Sequence, residues 1–454
     1  MRSEKLIKIK TKNRNIKTII PAPGTENILK KLKLIESRSM HGQMPIVWKK
    51  AKNFNIYDRA GNKFIDFTST IFVANIGHSN SKLIKRLKKT LDNELLSTYS
   101  FANEIRTKYI EKLLKFGGNK FKKAFLLSSG TEASEVVLKL MKLYGLKKKK
   151  KKLSVISING NWHGRTMGAQ SLSSDNSQNQ WLSNKDDVKF IDFPYPWVLK
   201  EKKISGANFA KNQILKLKKE KKINFKKDVC GLVLETFQGW GALFYPKDFV
   251  KYLSKFCKNN NIILAFDEMQ SGFSRTGKNF GFMHYGVQPD LICCGKGMGG
   301  GLPVSGVLGK KELLDLPETG SMSSTHSANP LVCEAGNAVL DEIKTKDLNN
   351  ETLRKGKILS KILERIKRDN NKIVKHVSSR GLIAAIIFDN KNRKIKKFIS
   401  HIVFRCMQKG VLFIDTKKGA IKIGPPLVIS DSAILEGMKV LENTISETRK
   451  FYEI

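Results

Sequence analysis

From about Asn103 onward, short and almost wholly apolar runs alternate with segments of helical spacing. Lys123-Ala-Phe-Leu-Leu127, Leu153 to Ile158, Val229 to Glu235, Ile262 to Phe266, Asp290 to Cys294 and Val304 to Leu308 read as strands. Lys108 to Phe116 is amphipathic, and Thr131 to Tyr144 carries Glu132 and Glu135 near its start, where negative charge suits a helix dipole. A sheet with one wet face would alternate polar and apolar residues. Runs that are apolar throughout need cover on both faces, so the pattern predicts an α/β architecture around a largely parallel sheet. After about Ala335 the texture changes. Helices over Cys333 to Ile343 and Glu351 to Arg368, the apolar run Gly381 to Phe388 and two further helices predict a smaller α+β unit. Near the start, Ile56 to Asp66 forms a hairpin turning at Ala60-Gly61-Asn62. The expected division is residues 1–65 contributing to the small domain, 66–335 as a large domain and 336–454 completing the small one.

The chain of 454 residues can bury a core of that size. It has no apolar run long enough to span a bilayer, and Met1 to Lys10 lacks the apolar core of a secretory signal, so a cytoplasmic protein is expected, with no membrane partner. The six cysteines show no paired metal-ligand spacing; no metal is expected, and adjacent Cys293 and Cys294 read as buried strand residues. The net charge of +44 raises nucleic-acid binding. Lysine far outnumbers arginine, though, and basic residues are spread along the chain without interleaved aromatics, so no nucleic-acid partner is expected. The run Lys147–Lys152 reads as a solvated loop between a helix and a strand.

Four segments carry chemistry. Lys296 lies among glycines just past an apolar run, in Gly295-Lys-Gly-Met-Gly-Gly300, and Asp267 ends another run in Phe266-Asp-Glu-Met-Gln270. A lysine with room beside it for a flat group, and a carboxylate able to keep a heterocyclic nitrogen protonated, suit a Schiff-base lysine and the acid partner of a pyridinium ring. Ser128-Ser-Gly-Thr-Glu-Ala133 joins a strand to a helix; its N–H groups with the Ser129 and Thr131 hydroxyls could cradle a phosphate, or Ser129 and Glu132 could simply form a capping box. Asn161-Trp-His-Gly-Arg-Thr166 offers an aromatic face for a flat cofactor, with Arg165 free for a substrate carboxylate or a structural ion pair. Gly295 to Gly300 also matches a dinucleotide fingerprint, but Pro303 and a β-like run follow where a helix should open, so that context fails. Ser323 to Pro330 is a further phosphate candidate or a polar turn.

Together these segments resemble the class III (ω-type) pyridoxal phosphate aminotransferases of fold type I. The resemblance runs from about Pro45 to the C-terminus and includes Tyr57-Asp58 with Gly61-Asn62, Gly77-His78, Ser129 to Ala133, Trp162 to Thr166, Glu235 with Gln238-Gly239, Asp267 to Gln270, Lys296, Thr325 with Asn329-Pro330, and Pro425-Pro-Leu427. It implies a seven-stranded-type, mostly parallel sheet in the large domain and a small domain built from both termini. It implies pyridoxal 5'-phosphate as cofactor, attached through a Schiff base to Lys296, which also shuttles the proton. Asp267 would pair with the pyridine nitrogen and Gln270 lie near the ring hydroxyl. Trp162 would stack on the ring beside His163, with Glu235 nearby. Ser129, Gly130 and Thr131 would hold the phosphate, and Thr325 would reach the phosphate of the neighbouring subunit in a homodimer. The implied reaction moves an amino group from an amine or amino-acid-like donor to an oxo acid or oxo sugar.

Two positions depart from the pattern. Family members that use 2-oxoglutarate often carry a glutamate where this chain has Trp240, and that glutamate pairs with an arginine where this chain has Lys422. Lys422 can still attract a carboxylate, but only as a point charge. The change disfavours 4-aminobutyrate and ornithine, and favours an amine, an amino sugar, or a donor whose acid group Arg165 holds. An aminomutase or racemase on the same scaffold is the alternative, and a non-enzymatic basic binding protein a more remote one.

Overall fold

The computed structural model describes residues 6–42, 44–174, 178–182, 187–389 and 394–453. These fall into two compact units, Ser81–Asn350 and, from both ends of the chain, Met1–Asn80 with Glu351–Ile454. Residues 66–80 thus group with the N-terminal strands, and residues 336–350 stay with the larger unit.

The larger unit is built on a seven-stranded sheet. Its strands are β1 (Lys123–Leu127), β2 (Ser154–Ile158), β3 (Val188–Ile191), β4 (Val229–Glu235), β5 (Ile263–Asp267), β6 (Leu291–Cys294) and β7 (Ser305–Gly309). In space they run β1-β7-β6-β5-β4-β2-β3. Every residue of β2, β4, β5, β6 and β7 is buried, as apolar runs without alternation require. All neighbours are parallel except β7, which is antiparallel to both β6 and β1. The reason is the connection. Between Cys294 and Ser305 there is only a glycine-rich turn, and a parallel return needs a crossover of a dozen or more residues. Helix α1 (Gly130–Lys147) packs Val137, Leu140 and Met141 on this sheet against Val155, Cys230, Ala265 and Cys293. Strand β3 has no counterpart among the apolar runs of the sequence. It is an edge strand whose Lys189 and Phe190 are only partly buried, so its pattern is weak.

The loop reading of Lys147–Lys152 needs a correction at one residue. Lys150 is buried, with Nζ donating to the carbonyls of Lys226 (3.1 Å) and Asn260 (3.4 Å) at the turns that lead towards β4 and β5. Carbonyls at such turns lack ladder partners, and a long cationic side chain supplies one; burial lowers the Lys150 pKa.

In the smaller unit, Lys63–Asp66 lies between Asn55–Asp58 and Asn15–Ile16 and also takes Val411–Leu412 as a parallel neighbour. A second, antiparallel sheet orders Val374–Arg380, Ile383–Phe388, Ala420–Ile423 and Ile414–Asp415. The helices of the unit include Thr25–Ile35, most of Leu348–Asp369, Ile395–Gln408 and Asp431–Tyr452. One turn here is unusual. Ser69, Thr70, Ile71 and Phe72 all have positive φ, between 48° and 71°, although none is glycine. Left-handed residues cost roughly 1–2 kcal/mol each, so the surroundings must hold them. Asp66 does so, accepting bonds from Thr68 N, Thr68 Oγ1 and Ser69 N, while Ser69 Oγ donates to Gly424 O. Gly424 is required because a Cβ there would lie 2.0 Å from the Phe72 ring.

Candidate active site

The chemistry-bearing segments of the larger unit converge at the carboxyl edge of the parallel strands, where open α/β sheets bind ligands. The ladder aligns Glu235 with Asp267, and Asp267 with Cys293. Lys296 follows Cys293 within the same turn. It opens a short 3-10 turn, Lys296–Met298, at a strained φ of 23°, and is half-buried.

Asp267 is buried, and its Oδ2 meets His163 Nδ1 at 2.8 Å. Its Oδ1 accepts the Met269 N–H at 2.9 Å. An ionised carboxylate has about four acceptor sites, so two remain for a further donor. His163 Nε2 is buried without a hydrogen-bond partner among the described residues. The adjacent acid, Glu268, does something different and was not singled out from the sequence. It is fully buried and accepts from Thr236 Oγ1 and Ser271 Oγ at 2.5 Å each, Phe282 N at 2.6 Å and Gly281 N at 2.8 Å. Burial raises its pKa, and those four bonds oppose the rise.

Glu235 is a second organiser. Its Oε2 accepts the backbone N–H of Trp162 (3.1 Å) and of Gly239 (3.2 Å), and its Oε1 accepts Gln270 Nε2 at 2.9 Å. One carboxylate therefore ties together three loops that lie far apart in sequence.

At the start of α1 the capping box is present. Ser129 Oγ accepts the Glu132 N–H, and Glu132 Oε2 accepts the N–H groups of Ser128 and Ser129. The Thr131 hydroxyl is also engaged, 2.7 Å from Thr166 Oγ1 and accepting the N–H groups of Arg165 and Thr166. The hydroxyls thus organise the protein itself. The first-turn N–H groups of Gly130 and Thr131 point out of the helix with no partner in the capping box, and these can bind an anion. Space is kept there by Gly164, at φ +146°, where a Cβ would fall 2.4 Å from Thr131 Oγ1. A Cβ on Gly130 or Gly295 would reach 2.8 Å from Met269 Sδ.

Trp162 is half-buried, and the Arg165 guanidinium lies over its ring, 4.8 Å from the centroid. Arg165 also donates to Gln178 Oε1 at 3.2 Å and is exposed. This cation–π contact covers one face of the Trp162 ring. Trp240 sits in the turn Gly239–Gly241 beside Gln238. Thr325 is exposed in the segment before the helix Pro330–Thr345, and among the described residues no hydrogen bond joins it to the Asp267 cluster. Lys422 belongs to the smaller unit. It is buried in Ala420–Ile423 with Nζ 4.5 Å from the centroid of Phe72.

Comparison with known proteins sets this geometry in a family. The chain is 29% identical to acetylornithine aminotransferase of Caldanaerobacter subterraneus over 90% of its own length and 97% of the relative's. It is equally 29% identical to leucine/methionine racemase of Thermococcus litoralis, over 89% of this chain and 92% of that protein. In fold it is similar to the crystallised ornithine aminotransferase of Toxoplasma gondii, described with partial occupancy of PLP at its active site. The TM-score is 0.82 at 22% identity, covering 94% of this chain and 96% of that one. The aminotransferase class-III family matches residues 37–445. The chain belongs to the class III aminotransferases, pyridoxal phosphate-dependent enzymes of fold type I that carry out transamination.

Proposed function

We propose that this transamination runs at the carboxyl edge of β4, β5 and β6, with Lys296 as the covalent attachment point and proton carrier, and Asp267 as the carboxylate on the pyridine nitrogen. The observation that carries the assignment is Asp267: a buried carboxylate fixed by His163 with half its acceptor capacity open, and Lys296 just past its ladder partner Cys293. The donor set fits the cofactor, with an acid for a ring N–H, an amine for an aldehyde carbon and two helix N–H groups for a phosphate. When bound, pyridoxal phosphate supplies the electron sink that makes a proton next to an amine removable.

The chain's own residues do the rest. Asp267 holds a proton at the ring nitrogen, and His163 keeps that carboxylate oriented. Lys296 Nζ would carry the proton between the donor's amine-bearing carbon and C4′ of the cofactor. Gly130 and Thr131 bind phosphate through N–H groups, with Ser129 capping the same helix. Trp162 would offer the cofactor the ring face not covered by Arg165, and Gln270, clamped by Glu235, would lie near the ring hydroxyl. Trp240 and Arg165 select the donor, an amine or amino-acid-like molecule, and the acceptor is an oxo acid or oxo sugar. The working form is a cytoplasmic homodimer in which Thr325 serves the partner's phosphate.

Purified protein should absorb in the visible, and borohydride should fix the cofactor onto the Lys296 peptide, as read by mass spectrometry. Lys296→Ala should lose both and lower turnover by at least about 10³-fold; a variant that still turns over amino donors normally overturns the assignment. The Thermococcus litoralis relative favours one second reading, racemisation, which predicts inversion of an amino acid with no oxo acid added.

A further inference from the structure

The hydroxyls at the start of α1 can be followed hydrogen by hydrogen. Thr131 Oγ1 accepts the N–H groups of Arg165 and Thr166, each at 3.2 Å. A hydroxyl oxygen has two acceptor sites, so both are filled and only its hydrogen remains to be placed. Thr166 Oγ1 lies 2.7 Å away. The Thr166 hydrogen is already committed, donated at 2.5 Å to Glu135 Oε1, and a carboxylate oxygen only accepts. The order is therefore fixed from both ends: Thr131 donates to Thr166, and Thr166 donates to Glu135. Ser129 follows the same rule, its Oγ donating to Glu132 Oε2 at 3.1 Å.

The backbone makes room for this line of groups at both ends. A Cβ on Gly164 would fall 2.4 Å from Thr131 Oγ1, and one on Gly168 would fall 2.1 Å from Glu135 Oε2. Glu135 Oε1 also accepts the Ala169 N–H at 3.0 Å, in the short helix Met167–Ser171. That contact alone would satisfy the helix start, and it does not require two threonine hydroxyls in line. What the line achieves is to turn the Thr131 oxygen towards two loop N–H groups and to leave no hydrogen on it for a ligand.

We propose that Thr166 and Glu135 are positioning residues that draw the Thr131 hydrogen away from the cofactor phosphate. Thr131 then serves the phosphate with its backbone N–H alone, and its hydroxyl holds the loop that carries Trp162 and Arg165. The inference rests on the transamination reading above, which puts the phosphate at this helix start. A free Thr131 hydroxyl would give a phosphate a charge-assisted hydrogen bond. The chain instead gives the Arg165 and Thr166 N–H groups an acceptor, which fixes the loop.

The test uses the full chain freed of cofactor, then titrated with pyridoxal phosphate or with pyridoxal, the same aldehyde without the phosphate. Visible absorbance follows both. The ratio of Kd for pyridoxal to Kd for pyridoxal phosphate isolates the grip on the phosphate. Thr166→Val keeps the shape of an exposed residue and removes the acceptor of the Thr131 hydrogen. Its ratio should rise about threefold or more, as the freed hydroxyl turns to the phosphate. Thr131→Val should weaken both aldehydes alike by about threefold, through the loop, and leave the ratio within about twofold of wild type. The double variant should lack the gain. A merely structural Thr166 would leave the ratio unchanged, and that result overturns the proposal. So does a Thr131→Val ratio that falls tenfold or more, because the hydroxyl would then be a direct phosphate donor. Borohydride reduction of the wild-type complex tells the two readings apart. Either of those results with the label on Lys296 sinks the hydroxyl order alone, whereas label on other lysines only sinks the transamination reading with it.

Discussion

Each unit of the molecule contains a buried histidine–aspartate pair, and the two are used differently. In the smaller unit His78 Nε2 meets Asp66 Oδ2 at 2.7 Å; in the larger, His163 Nδ1 meets Asp267 Oδ2 at 2.8 Å. Asp66 also accepts Thr68 N and Thr68 Oγ1 at 2.7 Å and Ser69 N at 3.0 Å, filling its four acceptor sites. Asp267 adds only Met269 N. A saturated carboxylate is a clamp, and here it holds a left-handed turn of four non-glycine residues. A half-saturated one, buried where desolvation is costly, keeps acceptor capacity for a ligand. Residue type and pairing are the same in both; the number of remaining acceptor sites separates structure from chemistry.

The sharpest way to break this comparison is to neutralise both aspartates. Asp267→Asn keeps the shape and an oxygen for the Met269 N–H but removes the charge. Its kcat/KM should fall by about 10²–10³-fold, while its urea midpoint moves by less than about 1 kcal/mol in stability. Asp66→Asn should show the reverse. Two donors lose their acceptor in a buried, strained turn, so stability should drop by about 2–3 kcal/mol, with activity per folded molecule close to wild type. Equal stability losses in the two variants would erase the distinction.

The histidines sharpen the same contrast with a smaller effect. His163→Asn removes the group that orients Asp267, and should shift the pH profile of the cofactor's visible absorbance while lowering turnover roughly tenfold. His78→Asn should leave that profile in place and lower thermal stability by about 1–2 kcal/mol. Absorbance titration of both variants checks this, and a shifted profile in His78→Asn would contradict it.

Much of this could be read from the chain, for identifiable reasons. Fully apolar strands announce a sheet covered on both faces, and parallel order brings their carboxyl ends to one edge, so segments far apart in sequence were bound to meet there. What escaped reading depends on long-range pairing. Val304 to Leu308 was legible as a strand, but not its direction, which the short glycine-rich connection decides. The hydrogen bond from the Tyr195 hydroxyl to Gln238, 43 positions away, has no local signature. Ser69-Thr-Ile-Phe72 is the clearest case: β-branched residues disfavour positive φ, so composition argues against the turn that Asp66 and Gly424 impose. Lys150 escaped likewise, because a carbonyl partner is invisible in a run of lysines.

Glu268, the neighbour of Asp267, puts the saturation argument to its finest test. It accepts four hydrogen bonds, as Asp66 does, yet burial still raises its carboxyl above the ordinary glutamate range. A raised folded pKa means that the folded state binds the proton more tightly than the unfolded chain. The stability Glu268 contributes is then full below the ordinary glutamate value and is lost as pH rises through the folded value. Glu268→Gln keeps the length and one accepting oxygen but cannot titrate. Wild type should therefore lose stability relative to the variant as pH climbs from about 4 towards neutrality, with a slope no steeper than about 1.4 kcal/mol per pH unit. Urea midpoints for both proteins across that range measure it. A flat difference would mean that the four donors outweigh burial, making Glu268 a clamp like Asp66. The expected slope means that Glu268 resists ionisation, which spares Asp267 a like charge on the adjacent residue and leaves it free to hold a cation.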